Sequence, residues 1–258
     1  MNISHNYSLL ALYATLFTWS ITTLGSAMVF FFKKINKNIL DICLALSAGI
    51  MLSASFWSLL KPSVTYAEDV GQIPFIIVSV GFILGCLFIY YTDKFFCYKF
   101  KNKKKNSKST LLLIVSITMH NIPEGLAIGI AFGSIKYGFN SVSLSNALML
   151  ALGIGIQNFP EGSAVSLPLR REHYTRLKAF IIGSLSAVVE PVFGLIGAII
   201  TIKIRHFMPL LLAFAAGAMI YVVIKELIPQ SQSNKNSSII SLFTVLGFVI
   251  MMALDIGI

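Results

Sequence analysis

Long apolar runs, each close to the thickness of a bilayer core, alternate along the chain with short polar joints. A membrane-spanning helix needs about 20 predominantly apolar residues. Runs of that kind fall at 7–32, 39–61, 73–93, 110–133, 144–167, 178–202, 207–229 and 238–257. They predict an all-α, polytopic membrane protein of eight transmembrane helices, one transmembrane domain over 1–258 with a basic loop at 94–109. Two runs break the apolar pattern. His120-Asn121-Ile122-Pro123-Glu124-Gly125 interrupts the fourth and Gln157-Asn158-Phe159-Pro160-Glu161-Gly162 the fifth. A charged side chain at the bilayer centre costs about 2.5–3.5 kcal/mol on insertion scales. Polar residues this dense inside two spans therefore point to a cation site within the membrane.

Composition sharpens the class. With 56% hydrophobic and 12% charged residues, the chain lies far from the range of soluble domains. The basic residues set the orientation: sixteen of the twenty Lys and Arg fall in the odd-numbered loops and four in the even-numbered ones. The positive-inside rule then puts the odd loops, including 94–109, in the cytoplasm and both termini outside. Lys33, Lys34 and Lys37 follow the first span rather than precede it, the reverse of a signal peptide, so this span is expected to be retained. The run Lys99 to Lys108 has no interleaved aromatics and reads as a topology-setting loop, and no nucleic-acid partner is expected. Cys43, Cys86 and Cys97 contain no CxxC and imply no disulfide, while His5, His173 and His206 sit at span ends or in loops.

The segment 44–62 aligns without a gap on 212–230, matching Leu44, Ala45, Ala48, Gly49, Met51 and Leu59 to Leu212, Ala213, Ala216, Gly217, Met219 and Leu227. By the charge assignment these copies run in opposite directions, as do the two hexapeptide spans. The pattern predicts inverted repeats, spans one to three against six to eight and span four against five, as in carriers that work by alternating access. Positions i, i+1 and i+4 share a helix face. His120, Asn121 and Glu124 therefore form one polar stripe, and Gln157, Asn158 and Glu161 another. Pro123 cannot donate to the Met119 carbonyl, nor Pro160 to that of Ile156, which frees a backbone oxygen beside each stripe. Glu190, before Pro191 in span six, adds a third carboxylate. Lys225 is a candidate partner for Glu226, but no base is in sequence reach of Glu124, Glu161 or Glu190, so one or two divalent cations are expected to supply the counter-charge. Imidazole with carboxylates suits zinc, iron, manganese or cadmium, whereas copper(I) would draw on Cys and Met. The candidate ligands are His120, Asn121, Glu124, Gln157, Asn158, Glu161 and Glu190.

A His-Asn-x-Pro-Glu-Gly span followed by a Gln-led copy in the next resembles the ZIP family (Zrt/Irt-like proteins) of divalent metal transporters, bacterial type. The AGxM stretches Ala48 to Met51 and Ala216 to Met219 extend the resemblance. It implies a binuclear mid-membrane site between spans four, five and six, with His120, Glu124, Gln157 and Glu161 on one metal and Asn121, Asn158, Glu161 and Glu190 on the other. It also implies a path lined by Met51, Ser58 and Glu226, and movement of spans one, four, five and six as a unit. Gln157 and Asn158 stand where some relatives have His and Asp, so the second position is expected to bind more weakly.

Together these features predict uptake of a divalent transition metal, Zn2+ foremost and Fe2+, Mn2+ or Cd2+ as alternatives, across the plasma membrane. No organic cofactor is expected, and the partners are the bilayer and the metal ions, with a homodimer left open. An intramembrane metal-dependent hydrolase is the rival, but its usual HExxH is absent from the sequence. A metal-selective channel with a similar filter is not separated from a carrier at this level.

Overall fold

The computed structural model describes residues 3–31, 37–101, 105–137, 143–171, 174–232 and 237–256, and among them no strand occurs. The helical stretches are α1 (Ile3–Phe31), α2 (Asn38–Asp69), α3 (Pro74–Lys99), α4 (Lys105–Ser134), α5 (Leu144–Arg171), α6 (Arg176–Lys203), α7 (Met208–Ser231) and α8 (Ser237–Ile256). Six are long and apolar enough to cross a membrane, and the two left out, α4 and α5, carry the hexapeptides. Both nevertheless stay helical through Pro123 and Pro160. Neighbouring helices can re-satisfy the backbone groups a proline frees.

Three helices are irregular. α2 contains a π-helical turn at Ser55–Leu60 and α7 another at Val223–Leu227, the same register within the repeated segments. α6 stops at Ser186 and restarts at Val189. The break has a local cause: Pro191 has no N–H to give the carbonyl of Ala187, which accepts instead from the Glu190 amide at 3.0 Å.

The helices associate as close pairs, α1 with α5, α4 with α6, α3 with α7 and α2 with α8. Glycine makes each approach possible. A Cβ on Gly25 would strike the Phe159 carbonyl, and one on Gly162 the Thr22 carbonyl, so α1 and α5 pack backbone to backbone. Gly217 meets the Phe82 carbonyl and Gly85 that of Phe214 across α3 and α7, as Gly49 meets Thr244 and Gly247 meets Leu46 across α2 and α8. Small residues at helix contacts are how membrane bundles gain dispersion contact without a hydrophobic driving force. α1 and α6 also touch, joining the first two pairs into a set of α1, α4, α5 and α6, which meets the other four helices mainly where α2 packs on α5 and α4 on α7. α3 and α8 form the rim, with Phe75, Phe95, Leu242 and Val245 exposed.

Candidate metal centre

The hexapeptides lie inside the α1–α4–α5–α6 set. Asn121, Glu124, Gln157, Asn158 and Glu190 are each at most 1% exposed, and Glu161 is 3% exposed. The backbone of His120 belongs to α4, but its side chain lies outside the described residues. Glu161 is near enough to both Glu124 and Glu190 for the three carboxylates to interact electrostatically. The structure thus gathers six of the seven ligand candidates.

Each outer carboxylate is met by a neighbouring amide of α5. Gln157 Nε2 donates to Glu124 Oε1 at 2.6 Å, and Asn158 Nδ2 donates to both oxygens of Glu190, each at 2.9 Å. Thr18 Oγ1 of α1 donates to Glu190 Oε2 at 2.6 Å. Asn121 Nδ2 reaches the carbonyl of Ser186 at 3.1 Å, capping the broken end of α6. The Trp19 indole donates to the Ser184 carbonyl two residues earlier, at 2.9 Å.

Four buried oxygens in the cluster, Asn121 Oδ1, Glu124 Oε2, Gln157 Oε1 and Asn158 Oδ1, have no hydrogen-bond donor among the described residues. A buried acceptor without a donor costs about 1–3 kcal/mol. A cation satisfies several such oxygens at once, so the donor set fits a metal ion. Among the described residues no group of three His, Cys, Asp or Glu could hold a metal. The described part of the cluster is carboxylate with amide.

The remaining candidates lie elsewhere. Met51 is fully buried in the apolar core. Ser58 lines a cavity of about 310 Å3 together with Trp57, Lys61, Asn146 and Asp255, and donates to Asp255 Oδ1 at 2.7 Å. Glu226 sits in the π-helical turn of α7, while Leu212 of the same helix lines the cavity. At 1.5 Å per residue that separates Glu226 from the cavity by roughly 20 Å. Lys225 interacts electrostatically with Glu226, as expected, and also forms an ion pair with Asp93 of α3, because the side chain is carried across the α3–α7 contact. Asp255 and Thr18 were not foreseen. Thr18 had a signal, since Thr15, Thr18, Thr22 and Ser26 recur at helical spacing in α1 and are all buried.

The geometry defines a class: an all-helical, multi-pass membrane protein with a buried cluster of carboxylates and amides in its interior. The family model described as "ZIP Zinc transporter" matches residues 101–255. The chain is 38% identical to "Zinc transporter ZIP11" of Xenopus tropicalis over 96% of each chain. It is 36% identical to "Zinc transporter ZIP11" of Homo sapiens over 98% of each, and 31% identical to "Zinc transporter ZIPB" of Bordetella bronchiseptica over 92% of this chain and 77% of that one. The chain belongs to the ZIP family, a family of transporters and not of enzymes, and the hydrolase reading falls with that assignment. Although the motif suggests a bacterial type, the two animal relatives are the more similar of these three.

Proposed function

We propose that this chain carries divalent transition-metal ions, zinc foremost, across the plasma membrane into the cytoplasm by alternating access at the buried cluster. Iron, manganese and cadmium belong to the same ligand class. The observation that carries the reading is the meeting of two Pro-Glu-Gly helices around buried oxygens that lack a hydrogen-bond donor among the described residues. The relatives named as zinc transporters support the choice of zinc. The ion is held between Glu124 and Glu161, with Gln157, Asn121 and His120 completing its shell.

Eight spans and an inverted repeat complete the proposal. Support comes from reciprocal contacts: under the repeat, Gly49 on Thr244 exchanges with Gly217 on Phe82, Gly247 on Leu46 with Gly85 on Phe214, and Gly162 on Thr22 with Gly125 on Glu190. The C-terminal ends of α2, α4 and α8 meet the N-terminal ends of α5 and α7 around the Ser58 cavity, as antiparallel copies require. Under the charge-based orientation this cavity is the external mouth, and the α1–α4–α5–α6 set is the body that moves.

Uptake into proteoliposomes with a panel of divalent ions tests the reading. Saturable zinc accumulation is expected, lost in His120→Ala and Glu161→Ala at normal membrane insertion; retained uptake in either would refute the site. For orientation, cysteine introduced at Gly71 should react with an impermeant thiol reagent on intact cells and cysteine at Lys103 should not.

A further inference from the structure

We infer that the cluster holds one transported ion at a time, because the amide of Asn158, seated with the Thr18 hydroxyl on Glu190, takes the place of a second cation. The inference rests on the transport reading and concerns the occupancy of that same site. A carboxylate needs a counter-charge inside the membrane only so far as its oxygens lack donors. Both oxygens of Glu190 accept from Asn158 Nδ2, and Oε2 also accepts from Thr18. Glu190 further lies in the first turn of the restarted half of α6, where the N-terminal end of the helix dipole favours negative charge. Three sources of positive potential already face this group.

A metal at Glu190 would have to displace a charge-assisted hydrogen bond and confront the N–H end of the Asn158 amide. The oxygen of that amide is on the other side: Asn158 Oδ1 is buried and has no donor among the described residues. Glu124 differs. Its Oε1 accepts from Gln157 at 2.6 Å, but Oε2 has no donor among the described residues. It therefore retains an oxygen for an ion. Thr18 is then a positioning residue: its hydroxyl, brought close by the Gly25 and Gly162 contacts between α1 and α5, keeps Glu190 turned onto the amide.

The test is metal stoichiometry on the purified full chain in nanodiscs, by equilibrium dialysis against Cd2+ and Zn2+, alongside uptake in proteoliposomes. One ion per chain is expected for the unmodified protein, two for Asn158→Asp, and still one for Glu190→Gln. Thr18→Val should lower the maximal rate of uptake by about twofold, no more than Glu190→Gln does, without changing stoichiometry, and Thr18→Ser should restore it. Two ions in the unmodified chain, falling to one in Glu190→Gln, would overturn the inference while leaving transport standing. One ion in a correctly inserted Asn158→Asp would also overturn it. If Asn158→Asp fails to insert, Glu190→Gln decides alone. No bound ion and no uptake in the unmodified chain would overturn the inference and the transport reading together.

Discussion

Gln157 with Glu124 and Asn158 with Glu190 are the same chemical pair, an amide meeting a carboxylate, built from adjacent residues of α5. They differ in what surrounds the carboxylate. Glu124 receives one hydrogen bond and keeps an oxygen without a donor among the described residues, whereas both oxygens of Glu190 are taken by Asn158 and one is shared with Thr18. The comparison teaches that the donors already spent on a carboxylate, and not its burial alone, decide how far its charge is satisfied inside the protein. Both glutamates are fully buried, yet only Glu124 keeps an oxygen without a donor among the described residues.

The largest expected effect breaks the open pair. Glu124→Gln should reduce zinc uptake by on the order of 100-fold, since removing one partner of a buried charge interaction costs about 3–5 kcal/mol; initial rates in proteoliposomes measure it. The same substitution at Glu190 should cost less than about threefold, because Asn158 can still donate to the remaining carbonyl and the Thr18 hydroxyl can turn to accept. Equal losses at the two positions would remove the distinction between them.

Next comes Gly162→Val. Its Cβ would occupy the place of the Thr22 carbonyl, forcing α1 away from α5 and Thr18 away from Glu190. Overpacking of a close contact costs typically 1–3 kcal/mol. A lowered melting temperature in detergent should therefore accompany reduced uptake.

Asn158→Ala is milder. It leaves Glu190 with the hydroxyls of α1, Thr18 and Thr22, and should preserve transport through the Glu124 position, with a few-fold change in rate at most; complete loss would show that the amide ligates the ion directly.

The smallest effect is expected for Lys225→Ala. The ion pair with Asp93 joins α3 to α7 away from both carboxylate pairs, and the Lys225 side chain is 42% exposed. Such pairs contribute about 0–1 kcal/mol. Unchanged zinc affinity with at most a slight loss of thermal stability is the control for the other four variants.

Much of this protein is legible in one dimension. Apolar runs of bilayer length declare helices whatever their neighbours, because inside lipid each backbone polar group must be satisfied within its own segment. The polar residues of α4 and α5 declare a site because their cost is intolerable without a function. Ligand types follow from composition, and the register of the 44–62 and 212–230 segments anticipates that both π-helical turns fall at matching places.

Partners were not legible. That Lys225 pairs with Asp93 as well as facing the adjacent Glu226, that Ser58 holds Asp255, and that Thr18 completes the shell of Glu190 all depend on helix pairs chosen by glycine contacts far apart in the chain. The sequence by itself determined that carboxylates and amides would fall together on two proline-bearing helices. Only the tertiary structure decided which carboxylate was satisfied by protein donors and which kept an oxygen without one among the described residues, because hydrogen bonds act over about 3 Å and that proximity exists only after α1, α4, α5 and α6 have packed.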